Sequence, residues 1–70
     1  MPYRQEDIAK VQEFIVEADL RVSAQIERIE RMIEKGYDVT EARDLLRQLE
    51  AILDQWHVRR QIILSALARG

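Results

Sequence analysis

The sequence predicts an all-α protein, an antiparallel two-helix hairpin that dimerises into a four-helix bundle. Three observations lead to this prediction. Two segments of about 30 residues each carry apolar residues three or four positions apart, which is the helical repeat. One short turn containing glycine separates the segments. The apolar stripe of each segment is wider than the seam between two helices, so a lone hairpin would leave part of it in water.

The first helix is predicted over residues 5–35. With Phe14 and Met32 at its edges, the apolar stripe covers about 120° of the helix surface, as expected of a core-facing helix. Gln25 is the polar residue near the middle of the stripe. The stripe consists of Ile8, Val11, Ile15, Ala18, Val22, Ile26, Ile29 and Ile33.

The turn is predicted over residues 36–39. Gly36 follows Lys35, and a glycine after a basic last turn usually adopts the left-handed conformation that ends a helix. Asp38 and Thr40 are both candidate N-caps of the next helix, and Asp38 with Glu41 has the spacing of a capping box. A connection this short makes neighbouring helices antiparallel.

The second helix is predicted over residues 40–68, and its stripe contains two arginines. Arg60 lies on the stripe and Arg59 lies at its edge. Their stems are expected to cover apolar surface while the guanidinium groups reach acidic residues of the first helix, Glu13, Glu17 and Asp19. Alternatively, Arg59 and Arg60 together with Gln25 specify the register of an oligomer, or an arginine binds a partner. The stripe consists of Ala42, Leu45, Leu46, Leu49, Ile52, Leu53, Trp56, Ile63 and Leu67.

Counting outward from the turn predicts which residues face each other in the hairpin. The predicted pairs are Ile33 with Ala42, Ile29 with Leu46, Ile26 with Leu49, Val22 with Leu53, and Ala18 with Trp56. The last pair sets the smallest stripe residue against the largest, which is how cores fill without voids.

Two hairpins in a two-fold dimer would bury both stripes, and two-fold dimers are the commonest closed assembly. The predicted oligomer core is Ile15, Ala18, Val22, Ile26, Ile29, Leu46, Leu49, Leu53, Trp56 and Ile63. Four apolar residues lie away from the stripes: Val16, Leu20, Val58 and Ile62. They are either scattered exposed side chains or a second contact surface, and the sequence leaves both interpretations open.

The composition limits the class of protein. Hydrophobic residues make up 47% of the 70 residues and charged residues 34%, which is too apolar for disorder and too charged for a membrane protein. The longest apolar runs fall far short of the roughly 20 residues that span a bilayer. There is no cysteine, and the N-terminus does not read as a signal peptide. We therefore expect a soluble, cytoplasmic protein.

No catalytic, cofactor or metal site is predicted, so the protein is not expected to be an enzyme. Asp54 and His57 have the carboxylate-x-x-His spacing of metal sites in helix bundles, but Asp54 projects away from the stripe. His57 is therefore expected to be solvated. Pairs four residues apart, such as Glu17 with Arg21, suit helix stabilisation better than acid–base chemistry. The other pairs of this kind are Glu6 with Lys10 and Glu27 with Arg31.

The leading functional expectation is a scaffold or regulatory protein that acts as a homo-oligomer and docks an unidentified protein partner. The alternative is a nucleic-acid binder that uses a basic flank of the first helix, formed by Lys10, Arg21, Arg28 and Lys35. Three features oppose the alternative. Glu17 lies in the same row, the net charge is −2, and no exposed aromatic residue is expected among the cations.

Residues 31–46, RMIEKGYDVTEARDLL, resemble the turn of a group of short bacterial proteins of unknown function. That group shares a Gly, aromatic-or-His, Asp, x, Thr, x, Ala turn between two helices, and here Gly36, Tyr37, Asp38, Thr40 and Ala42 fit it. The resemblance covers about a third of the chain and implies a hairpin without implying an activity. In architecture the chain is similar to Rop-type hairpins, dimeric plasmid copy-number regulators that bind RNA. This similarity carries over no site residues.

Overall fold

Two long helices packed side by side make up the described part of the chain. The computed structural model describes residues 3–69, in which α1 (Gln5–Glu34) and α2 (Thr40–Arg69) form a hairpin. No strand occurs within these residues. The all-α hairpin predicted from the sequence is confirmed. The hairpin is a rod with extents of 54 × 15 × 12 Å.

Acidic residues stabilise the start of α1. The backbone N–H of Arg4 donates a 2.7 Å hydrogen bond to the carboxylate of Asp7, and the Asp7 N–H donates to the Arg4 carbonyl at 3.0 Å. Glu6 and Asp7 also place negative charge in the first turn, where the N–H groups of the helix end point outward.

Gly36 ends α1 in the predicted left-handed conformation, with a φ of +75°. The N–H of Tyr37 donates to the carbonyl of Met32 at 2.9 Å, and the N–H of Gly36 donates to the carbonyl of Ile33 at 3.0 Å. This pair of bonds is the Schellman motif, which satisfies carbonyl groups that the end of a helix would otherwise leave without donors.

Asp38 stabilises the start of α2 through Thr40. One carboxylate oxygen accepts a 2.9 Å hydrogen bond from the Thr40 N–H and a 2.7 Å bond from its hydroxyl. Because both bonds favour the charged carboxylate, they lower the pKa of Asp38 below its ordinary value. The carboxylate of Asp38 therefore accepts from Thr40, two positions on, in place of the predicted capping box with Glu41. The chain turns into the helix at Val39, whose carbonyl accepts from the Arg43 N–H.

The buried seam between the helices is thin. Within residues 3–69 the buried side chains are Val11, Ala18, Val22, Gln25, Ile29 and Ile63. Other members of the predicted oligomer core are only half-buried in the single hairpin, namely Ile15, Leu46, Leu49, Leu53 and Trp56. Ile26 is 40% exposed. The single hairpin therefore leaves much of both stripes in contact with water.

The register between the helices differs from the prediction by about one helical turn. Trp56, expected opposite Ala18, has its ring stacked on Phe14, one turn earlier in α1. Ala42, expected opposite Ile33, accepts a hydrogen bond from Gln25. The predicted pairs follow from residue numbers alone, so they take no account of the attraction between two aromatic rings or of the length of a glutamine side chain.

Candidate functional site

The hairpin has two broad faces, one on each side of the seam between the helices. We call one the aromatic face and define it by Phe14 of α1 and by Leu45, Ile52 and Trp56 of α2. Shallow depressions on this face combine residues of both helices. Phe14, Leu45 and Ile52 are 44%, 43% and 46% exposed. These large apolar side chains are therefore accessible to a partner.

A stacked pair of aromatic rings forms the centre of the aromatic face. The ring centroids of Phe14 and Trp56 are 4.7 Å apart, and the ring planes are inclined by 23°. Ala18 lines the same depression as both rings. Trp56 is half-buried, and Phe14 is the more exposed of the two. Sequence periodicity placed Phe14 only at the edge of the stripe.

Cations of the predicted basic flank lie on the aromatic face. Lys10 and Arg21 each line a depression together with Phe14, and Arg28 lines the next depression towards the turn. Lys35 is exposed just after the end of α1. The expectation that no exposed aromatic residue accompanies these cations is wrong, because Phe14 does so.

The charge of the aromatic face is nevertheless mixed. Arg21 forms a 3.1 Å ion pair with Glu17, the predicted pairing. Both partners are well exposed, so the pair contributes little to stability. Other acids line the same depressions, namely Asp7, Asp38 and Glu41. The electrostatic potential along the aromatic face therefore changes sign, and the face is not a uniformly basic strip.

Gln25 connects the two helices directly. It is 7% exposed, and its side-chain amide donates a 2.9 Å hydrogen bond to the carbonyl oxygen of Ala42. The sequence offered Gln25, together with Arg60, as a specifier of oligomer register. Because the amide finds its acceptor in its own chain, it acts on the register of α1 against α2.

The other side of the hairpin is the isoleucine face. Successive residues of a helix are rotated by about 100°, so the residue after each member of the aromatic side turns to the opposite flank. Ile15 follows Phe14, and Leu46 follows Leu45. The same step places the exposed His57, which follows Trp56, on this side. We define the isoleucine face by the apolar residues of this side: Ile8, Ile15, Ile26 and Ile33 of α1 with Leu46, Leu53 and Leu64 of α2. Ile26 and Ile33 are 40% and 54% exposed, and the others are half-buried.

Neither Arg59 nor Arg60 reaches the acids predicted for it. The ion pairs within residues 3–69 are Glu17–Arg21 and Asp44–Arg47. Arg59 is exposed and lines the aromatic face. Arg60 is half-buried, which agrees with a stem packed along apolar surface. The pairs expected at Glu6–Lys10 and Glu27–Arg31 are likewise not formed in the described part of the chain.

The outer sides of the helices carry small apolar patches. Val16 and Leu20 on α1 are 59% and 65% exposed, and they share a depression with Glu13. Val58 and Ile62 on α2 are 60% and 52% exposed. Each patch consists of two residues one turn apart, which is too small to mark an interface by itself.

The side chains considered for metal binding are not brought together. Asp54 lines an outer depression of α2 beside Val58 and Ile62, and His57 is exposed. Across residues 3–69, no three histidine, cysteine, aspartate or glutamate residues are grouped so that they could hold a metal ion. None of the helices in that range is both long and apolar enough to cross a membrane.

Comparisons with protein-family models, with curated proteins and with solved structures found no match.

Proposed function

We propose that the protein is a cytoplasmic, non-enzymatic interaction protein, a scaffold or regulator that acts as a homo-oligomer. Two hairpins pack into a dimeric four-helix bundle, and the surface left outside docks a protein partner. The observation that carries this proposal is the amount of surface that one hairpin leaves exposed.

One hairpin exposes more surface than a compact protein of its size. The chain has a mass of 8.3 kDa and an accessible surface of 5560 Å². A compact monomer of this mass exposes about 4,600 Å², so the excess is about 1,000 Å². A standard interface buries about 800 Å² on each partner, so covering this excess would create a stable dimer contact.

The elongated shape supports the same conclusion. The radius of gyration is 16.1 Å, whereas a compact domain of this length has a radius of about 11 Å. Two rods packed side by side have a thicker core, in which half-buried residues such as Leu53 lose their remaining contact with water. The hydrophobic effect therefore favours association.

Sedimentation equilibrium across a wide range of concentrations tests the proposal. We expect a two-chain species at micromolar concentration and a melting temperature that rises with concentration, because association stabilises the folded chain. Trp56 fluorescence gives an independent readout, since dissociation would increase its exposure to solvent. A folded monomer at all concentrations, with a melting temperature independent of concentration, would disprove the homo-oligomer.

One observation favours a second candidate function, binding of single-stranded nucleic acid by the aromatic face. Phe14 is exposed beside Lys10 and Arg21, and aromatic rings among cations can stack bases while the cations contact phosphates. The mixed charge of the face ranks this candidate below a protein partner.

Binding to RNA and DNA oligonucleotides at two salt concentrations separates the two candidates. The informative variant is Arg21→Glu with Arg28→Glu. Arg47→Glu is the matched control for Arg21, because Arg47 is exposed and also pairs with an acid of its own helix. Salt-sensitive binding that the double variant loses and the control keeps would favour nucleic acid. The absence of such binding would favour a protein partner.

A further inference from the structure

We infer that the isoleucine face is the surface on which a second copy of this chain docks, with the aromatic face left outside for a different partner. The inference rests on the proposed homo-oligomer and adds which face forms it. Both faces expose large apolar side chains, so exposure alone does not distinguish them. The number of charged residues on each face does.

Charged residues interrupt the aromatic face along its whole length. The depressions on that face are lined by Asp7, Lys10, Glu17, Arg21, Arg28, Asp38, Glu41 and Arg59. Packing this face into a bundle core would remove many of these groups from water, which is costly for a charge without a partner. The centres of protein interfaces are depleted in charged residues for this reason.

The isoleucine face is apolar over most of the length of α1. Ile8, Ile15, Ile26 and Ile33 recur after two, three and two helical turns and span about 38 Å of helix axis. Leu46, Leu53 and Leu64 continue the surface on α2. The exposed Asp19 lies between Ile15 and Ile26 on this side of α1 and interrupts the strip there. On either side of Asp19 the strip is apolar, which suits the packing of helices into a bundle.

Charged residues also lie on the α2 side of this face, and the positions of Glu50 and Arg60 suggest how the copies are arranged. Arg60 is half-buried, and Glu50 lies on the same flank of α2, one turn from Leu46 and from Leu53. Glu50 and Arg60 lie five residues before and five residues after Gln55, which is next to the middle of α2. If the α2 helices of the two copies cross antiparallel at their middles, Arg60 meets the partner's Glu50. Interfacial charge pairs of this kind fix register.

The experiment compares single glutamate substitutions on the two faces. Ile26→Glu lies on the isoleucine face and Ile52→Glu on the aromatic face, at side chains that are 40% and 46% exposed. Both positions are inside long helices, so the effect on helix propensity is the same. We expect Ile26→Glu to raise the dimer dissociation constant by at least about 100-fold, because each copy would bring an unpaired carboxylate into the contact. Ile52→Glu should leave the constant within about threefold of wild type.

Circular dichroism of each variant shows whether it remains helical. A second measurement does not depend on a disruptive charge. The chain contains no cysteine, so Ile26→Cys and Ile52→Cys each accept a single environment-sensitive dye. The emission should shift to the blue with rising concentration at position 26 and stay constant at position 52.

Three outcomes are distinguishable. Selective dissociation of Ile26→Glu supports the inference. Selective dissociation of Ile52→Glu, or equal dissociation of both variants, overturns it and leaves the homo-oligomer standing. A monomeric wild type overturns the proposed function itself.

Exchanging the two charges tests the arrangement of the copies. Arg60→Glu and Glu50→Arg should each weaken the dimer, and the double variant should recover most of the affinity. If both turns lay at the same end of the bundle, the two residues would be about 15 Å apart along the axis and the double variant would not recover. That failure would overturn the antiparallel crossing.

Discussion

The side-chain amide of Gln25 donates a 2.9 Å hydrogen bond to the backbone carbonyl of Ala42, and this bond joins the last third of α1 to the first turn of α2. A polar side chain buried in a seam costs free energy unless it has a partner. Here the partner is the carbonyl oxygen of Ala42, which has a fixed axial position on α2. The bond therefore favours one axial position of the helices over its neighbours.

We predict that Gln25→Glu is far more disruptive than Gln25→Met. Above neutral pH the glutamate would place a negative charge against the Ala42 carbonyl and lose the donated bond, which should cost roughly 1–3 kcal/mol of unfolding free energy. Gln25→Met keeps the volume and removes the amide, so its cost should stay below about 1.5 kcal/mol.

The pH dependence of Gln25→Glu provides the check. Burial would raise the pKa of the introduced carboxyl in the folded state. The protonated acid can donate to Ala42, so the destabilisation should fall as the pH is lowered through that raised pKa. Urea unfolding at several pH values measures the difference from wild type. A loss in Gln25→Glu that does not change with pH would show that the introduced carboxyl is not held against the Ala42 carbonyl.

The sequence predicted the hairpin and its turn, because periodicity and glycine chemistry are local properties of the chain. It did not predict the axial position of one helix against the other. Periodicity defines which side of a helix is apolar, and sliding the helices by one turn leaves that pattern unchanged. The contacts that fix the position, Gln25 with Ala42 and Phe14 with Trp56, join residues far apart in the sequence.

The sequence also left open which partner Gln25 has. A polar residue on an apolar stripe requires a partner, but the sequence cannot say whether the partner lies in the same chain or in another. Likewise, the sequence pattern shows one apolar stripe on each helix and does not show that the stripes divide into two faces. Their separation depends on where the seam runs, which the positions of the buried residues establish.

The stacking of Phe14 on Trp56 predicts a measurable coupling energy. Aromatic pairs contribute about 0.5–1.5 kcal/mol beyond the area that they bury. Phe14→Ala and Trp56→Ala should therefore be less damaging together than the sum of their separate effects, by about that amount. Urea unfolding followed by circular dichroism measures it, since the single and double variants with Trp56→Ala contain no tryptophan.

The control for this coupling is the pair Ile15→Ala and Trp56→Ala. Ile15 is adjacent to Phe14 in sequence but belongs to the opposite face. Its coupling to Trp56 should be within about 0.5 kcal/mol of zero, as for sites that do not share a contact. Equal coupling in the two cycles would contradict the stacked arrangement.

Substitutions at Gly36 should destabilise the hairpin because of the backbone conformation there and not because of crowding. A Cβ atom added at Gly36 would meet no atom within 4 Å, whereas its φ of +75° is unfavourable for residues with a side chain. Gly36→Ala should cost about 1–2 kcal/mol, and Gly36→Val more than about 1 kcal/mol. Gly36→Asn should cost less than either, because asparagine tolerates this region. Thermal unfolding ranks the three variants, and an unchanged melting temperature in Gly36→Val would show that α1 does not end there.

Asp38 should make the stability of the hairpin depend on pH in the acid range. The N–H and hydroxyl of Thr40 lower its pKa below the ordinary value of 3.8. The unfolded chain therefore binds a proton on Asp38 at a higher pH than the folded chain does. The stabilisation is fully present above the unfolded pKa and is lost as the pH falls through the lowered folded pKa. The variant Asp38→Asn keeps an acceptor for Thr40 but has no charge to titrate.

The measurement is the difference in melting temperature between wild type and Asp38→Asn. We expect this difference to be constant from neutral pH down to about pH 5 and to change below it, because the wild type then loses stability relative to the variant. A difference that stays constant down to pH 2 would show that the bonds to Thr40 do not favour the charged carboxylate in solution.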